Sequence, residues 1–312
     1  MPQPVSQSCT AAQTTCAKLS VDTLSTCATL NYNETHTQGC DMKAVNFDIK
    51  GETEAQAIAR IAERFDILED MAAATKSGDI RGMIVVGPPG VGKSYGIQKR
   101  LEEESLFDTI QNKIKYEVVK GAMTSLGLYM KLYKFSEPGS VLVFDDCDTV
   151  LMDELSLNLL KAALDSGKKR MIHWNADSRA LRSEGIPEKF EFKGSVIFVT
   201  NISFDTIKSK KLKDHLAALQ SRCHYVDLTL NTERDCFLRI KQIANAGELF
   251  AGYDFSDEDQ DEVLSFVYDN RQKLREISLR MAVKIADLRK SMPTKWKRVA
   301  EVTLMRNTWE RK

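Results

Sequence analysis

The chain has 312 residues, 43% of them apolar and 28% charged, enough to bury a sizeable core in one large domain or two modest ones. Its 44 basic residues balance 44 acidic ones, which excludes a strongly basic protein that coats nucleic acid but leaves room for a local basic patch. No apolar run approaches the ~20 residues of a membrane span, no secretory signal opens the chain, and seven cysteines without a C-x-x-C pair support neither a disulfide framework nor a zinc ribbon.

Residues 1–40 hold only three charged side chains, Lys18, Asp22 and Glu34, together with twelve Ser or Thr and the cysteines Cys9, Cys16, Cys27 and Cys40. Large apolar groups are too few there to build a core, so the composition predicts a flexible, low-charge tail over 1–47. A metal site is the sharper alternative, but cysteine spacings of 7, 11 and 13 fit no compact ligand pair. Ala55, Ile58, Ile61, Phe65 and Leu68 then recur at three- and four-residue steps and predict a helix over 52–76. Short apolar runs at 83–86, 116–119, 141–144, 196–200 and 225–228 read as strands, each too short for a helix and rich in β-branched or aromatic residues. Near-continuous apolar strands separated by helical segments predict a parallel sheet covered on both faces. After Leu230 the strands stop, and 232–246, 256–270 and 275–290 read as helices, with Ser256 as an N-cap. The expected fold class is α/β: a parallel sheet between helices over 48–229, then a small three-helix domain within 230–312.

Gly87, Pro88, Pro89, Gly90, Val91, Gly92, Lys93 and Ser94 fit G-x-x-x-x-G-K-[ST], after a strand and before a helical stretch that starts at Tyr95. In that setting backbone N–H groups turn inward on phosphate oxygens and the helix N-terminus adds its positive end. The residues from Gly87 to Tyr95 are therefore the expected nucleotide-binding set. Lys93 would reach the β- and γ-phosphates, and the Ser94 hydroxyl would face magnesium. About fifty residues on, the run 141–144 ends in Asp145 and Asp146, where a sheet's C-terminal edge gathers ligands. This fits a Walker B motif: Asp145 would hold Mg2+ through water and Asp146 would polarise the attacking water.

With these motifs the chain resembles the AAA+ ATPases over about residues 48–290, and further residues fall in that family's order. The resemblance implies that Asn201, ending the strand 196–200, is the sensor 1 residue at the γ-phosphate. It implies that Arg222, in Ser221-Arg222-Cys223, is an arginine finger acting on a neighbouring subunit. It implies that Arg280, in Ser278-Leu279-Arg280, is the sensor 2 arginine of the lid, with Arg275 one turn earlier as the competing choice. ATP and Mg2+ are the implied cofactors, and a homo-oligomeric ring, six copies being the expected number, is the implied assembly.

Between 168 and 193 two alternating stretches flank a polar loop, which predicts an inserted hairpin resembling the pre-sensor-1 hairpin of helicase and MoxR-like branches. Lys168, Lys169, Arg170, Arg179 and Arg182 make it basic; a pore-facing contact and a plain solvated edge are equal readings. Lys208 to Lys213 is a second basic run that a solvated helix start explains as well, and His173, His215 and His224 lack metal-ligand spacing. Gly121 to Thr124 lacks the aromatic that peptide-threading relatives carry at this point. The second carboxylate is Asp146 where the family carries Glu, which withdraws it by one methylene. The compact layout also resembles ATPases encoded by bacteriophages. The expected function is ATP hydrolysis coupled to remodelling a nucleic-acid or replication assembly in the cytoplasm (the host's, if the source is viral), with no membrane partner. The rivals are a MoxR-like protein-remodelling chaperone and a nucleotide-gated scaffold with little turnover.

Overall fold

The computed structural model describes residues 51–110, 115–202, 204 and 207–306, so the tail over 1–47 with its four cysteines lies outside the described residues. Helix α1 (Glu54–Ser77) starts where the Thr53 side chain accepts from the Gln56 N–H and the Gln56 side chain accepts from the Thr53 N–H, a reciprocal cap. It stops at Gly78, whose φ of 92° is left-handed. Its apolar stripe buries Ala57, Ile61, Phe65, Leu68 and Ala72.

Five strands follow the apolar runs to within a residue at each end: β1 (Gly82–Val86), β2 (Tyr116–Lys120), β3 (Val141–Asp145), β6 (Ser195–Thr200) and β7 (His224–Asp227). They form one parallel sheet in the order β2-β3-β6-β1-β7. Alternation sends Ile84, Leu142, Phe144 and Phe198 into one core, and Met83, Val85, Val143, Ile197 and Val199 into another. The first core is closed by α4 (Ser125–Lys134), α6 (Glu154–Ala163) and α8 (Lys210–Gln220); the second by α1 and α2 (Lys93–Glu104). Both faces are covered, which is why the strands read as unbroken apolar runs. The register pairs Val86 with Thr200 and Asp145 with both Lys120 and Val199, so the strand ends lie along one edge of the sheet.

Helices α3 (Leu106–Ile110) and α5 (Thr149–Met152) are short connectors. The inserted hairpin pairs β4 (Met171–His173) with β5 (Lys189–Glu191), burying Ile172 and Phe190. Its polar loop is not all irregular: Ser178 caps a one-turn helix, α7 (Arg179–Ser183), too short to show periodicity. Arg170 also departs from the basic patch. It is buried, donates to the Ala163 carbonyl at 3.0 Å and lies over the Phe192 ring, while Lys168, Lys169, Arg179 and Arg182 are exposed.

The C-terminal helices α9 (Glu233–Asn245), α10 (Asp257–Asp269), α11 (Leu279–Ser291) and α12 (Trp296–Leu304) enclose a third core around Val263, Val267, Met281, Ile285 and Trp296. Four helices stand where three are expected. Only Trp296 and Ala300 of α12 are buried, so its stripe is too sparse to read against a charged background. Helix α11 begins at Leu279 instead of 275, because Ser278 caps it and Leu274 is drawn into a bridge with Met305.

Candidate functional site

Strand β1 delivers the chain to Gly87, and the turn closes at Gly92, whose φ of 99° makes it a left-handed N-cap for α2. Gly90 sits at φ 73°, and a Cβ there would stand 2.8 Å from the Ser278 Cβ; the Gly90 carbonyl accepts from the Leu279 N–H at 2.8 Å. Only glycine lets the loop lie this close to the start of α11. Helix α11 is thereby bonded directly to the glycine-rich loop.

Lys93, the first residue of α2, is buried, and its ammonium donates to the Gly87 carbonyl (2.6 Å), the Pro88 carbonyl (2.9 Å) and Asn201 Oδ1 (2.7 Å). Burial pulls its pKa down to about 8, against the opposing pull of Asp146 and Asp145. Ser94 Oγ donates to Asp145 Oδ1 at 2.7 Å, and Lys120 at the tip of the adjacent β2 pairs with Asp145 Oδ2 at 3.0 Å. Asn201 Nδ2 donates to Asp146 Oδ1 at 2.9 Å. Asp146 is exposed and holds a left-handed φ of 51°, a conformation Asp tolerates at a cost of about 1 kcal/mol and one that clusters at functional sites. Residues distant in sequence thus meet through direct bonds at the C-terminal ends of β1, β3 and β6.

These side chains line a cavity of about 550 Å³. Pro89, Gly90, Gly92, Lys93, Ser94, Tyr95, Asp145, Asp146, Asn201 and Arg280 all face it; Gly87, Pro88 and Val91 do not, the first two accepting from Lys93 through their carbonyls and Val91 packing into the second core. Arg280, in the first turn of α11, lines the cavity, whereas Arg275 precedes that helix and donates to the Met305 carbonyl. Arg222 is not in this cavity. It lies just before β7, at the opposite edge of the sheet, where it donates to the Ala218 carbonyl at 2.6 Å and opens on a separate hollow with Asp79, Arg81 and His224.

Sequence reasoning passes over Gln98, Leu279, Val283 and Lys284 in the cavity wall, and Lys120 behind Asp145. The helical period could have found some of them: Val283 follows Leu279, and Lys284 follows Arg280, by four residues on one helix face. Among the described residues no cluster of three or more His, Cys, Asp or Glu could hold a metal ion. The oxygen pair of Ser94 and Asp145 instead suits a hard cation that takes one carboxylate and completes its shell with phosphate and water. No helix among the described residues is long and apolar enough to cross a membrane.

No protein-family model matches the chain. Among solved structures it is similar to domain III of the Thermotoga maritima replication initiation protein DnaA, at 13% identity and a TM-score of 0.41, over 79% of this chain and 88% of that one. It is similar at the same identity and TM-score to Drosophila ORC bound to DNA, over 86% of this chain and 70% of that one. Likenesses at that level carry no inference about ligand, partner or mechanism. In sequence it is 35% identical over 243 residues to an uncharacterized 36.7 kDa protein of the nrdC-mobD intergenic region of Enterobacteria phage T4, an alignment covering 77% of this chain and 73% of the phage protein. With that identity sustained across most of both chains, this chain belongs to the family of the phage T4 protein.

Proposed function

We propose that the chain is an ATPase of the AAA+ type that binds ATP with Mg2+ at the glycine-rich loop and hydrolyses it to ADP and phosphate. One observation carries this reading: two hydrogen-bonded sets, Lys93–Asn201–Asp146 and Ser94–Asp145, line a single cavity, with Arg280 of the lid facing it. On this reading Lys93 exchanges its carbonyl and amide acceptors for β- and γ-phosphate oxygens, a charge-assisted contact worth about 1.5–3 kcal/mol. Ser94 and Asp145 would hold Mg2+, whose chemistry when bound is to neutralise charge on the phosphate oxygens. Lys120 on the far carboxylate oxygen keeps Asp145 turned toward Ser94.

The reaction needs a water aligned with the γ-phosphorus. Asp146 Oδ1 accepts that water's proton as its oxygen bonds to phosphorus, and the β–γ bridging oxygen departs with ADP. Asn201, already bonded to both Lys93 and Asp146, orients the water between them. Arg280 supplies positive charge from the lid, so lid position and phosphate occupancy are coupled. Arg222 serves a neighbouring copy in a ring, because it stands at the sheet edge opposite its own chain's cavity. The exposed basic residues of the hairpin, Lys168, Lys169, Arg179 and Arg182, suit a nucleic-acid or replication-assembly client.

Titration of a fluorescent ATP analogue tests the core of this reading. Lys93→Ala should weaken binding at least about tenfold, and unchanged affinity would sink it. Turnover raised by DNA favours the nucleic-acid client. Turnover raised only by a partner protein favours a chaperone, and binding without turnover favours a nucleotide-gated scaffold.

A further inference from the structure

Arg239 belongs to α9 and no sequence motif marks it, yet it touches the glycine-rich loop from outside the cavity. Its side chain is 7% exposed, and its guanidinium carbon stands 3.4 Å from the Phe65 ring centroid. Nε donates to the Val91 carbonyl at 3.4 Å and Nη1 to Gln242 Oε1 at 2.7 Å. Nη2 lies 3.7 Å from where a Cβ on Gly92 would be. Among the described residues no carboxylate comes within ion-pair distance; Glu69, Glu248 and Asp66 act on it from farther off, and Glu248 is itself taken by Lys99 at 2.7 Å. Burial lowers its pKa to about 10, so it stays charged at neutral pH.

We infer that Arg239 is a positioning residue for the phosphate loop and that its buried charge serves the polyphosphate held on the loop's other side. The inference rests on the nucleotide-binding reading. Across a trans peptide the carbonyl and the next N–H point opposite ways. Fixing the Val91 carbonyl on Arg239 therefore turns the Gly92 N–H away from Arg239, toward the cavity that Gly92 lines. A buried cation without a bonded carboxylate is costly unless an anion compensates it, and an anion a few ångströms beyond the loop would do so. Arg170 is an internal comparison: it too is buried, bonded to a carbonyl and stacked on a phenyl ring, but it lies beside the hairpin, away from the loop.

The test measures ATP and ADP affinity together with nucleotide-free thermal stability for the wild type, Arg239→Gln, Arg239→Met, Arg239→Lys and Arg170→Gln. Arg239→Gln should weaken ATP by about tenfold and ADP by less, because one fewer phosphate charge is felt. Arg239→Met, which keeps packing on Phe65, should lose as much affinity while its nucleotide-free melting temperature stays at or above wild type; it answers the question if the Gln variant fails to fold. Arg239→Lys should stay within about threefold of wild type, and Arg170→Gln should bind as wild type. Wild-type affinity in folded Arg239→Gln or Arg239→Met overturns the inference and leaves the nucleotide reading standing. So does a loss that tracks nucleotide-free stability. A wild-type protein that binds no ATP overturns both.

Discussion

The two edges of the central sheet differ in how far they satisfy their own charges. At the C-terminal edge the charges carried by the sheet and the glycine-rich loop are each partnered: Lys93 with Asn201 and two carbonyls, Asp145 with Ser94 and Lys120, Asp146 with Asn201. At the N-terminal edge Arg222 has one carbonyl and, among the described residues, no ion pair, with Arg81 and His224 beside it. The first edge is a pre-organised set that a phosphate chain could enter by exchanging partners. The second holds a cation that shares its hollow with Asp79 but, among the described residues, makes no ion pair. The ring proposal assigns that cation to a neighbouring copy.

Three substitutions would break or sharpen the comparison. The largest effect is expected at the open edge: Arg222→Ala should bind ATP almost normally yet lose about 10³-fold in turnover, the scale of an arginine finger. Steady-state phosphate release checks this, and full activity would leave the N-terminal edge without a role. Next comes Asp146→Asn at the closed edge, which keeps the shape and removes the proton acceptor. Turnover should fall about a hundredfold with binding retained. If it does not, another carboxylate serves; Glu154, the nearest glutamate in sequence, is exposed and tied to Lys211. The smallest is Gly90→Ala, which forces a left-handed φ on alanine and drives its Cβ to 2.8 Å from Ser278. It should cost about 1–3 kcal/mol of stability, read as a lowered melting temperature with the lid loosened from the loop.

The sheet was legible because each strand is buried on both faces, leaving short apolar runs bounded by turns; Val141 to Phe144 is apolar throughout and ends in a carboxylate. The glycine-rich loop and the Asp145-Asp146 pair were legible because their chemistry constrains local residue types. Helix α12 was not, since two buried residues in nine leave no period to count. Neither was the choice between Arg275 and Arg280. It depends on where α11 starts, which Ser278 decides by capping the Met281 N–H. Arg239 and Lys120 had no local signature at all. Arg239 meets Val91 across 148 positions of sequence, a contact made by packing and not by spacing. The separation of Arg222 from the cavity is likewise a fact of topology, since β7 runs parallel to β1 and Arg222 precedes it.

The most direct test of a site shared between copies is a mixing experiment. Lys93→Ala subunits carry an intact Arg222 and a crippled loop; Arg222→Ala subunits carry the reverse. In an equimolar mixture, an intact loop on one chain can meet an intact Arg222 on its neighbour. The account predicts phosphate release well above the sum of the two variants measured alone, rising more steeply than linearly with protein concentration near the assembly threshold. A mixture that never exceeds that sum, or wild-type turnover that persists in a demonstrably monomeric protein, would contradict it and leave a site complete within one chain.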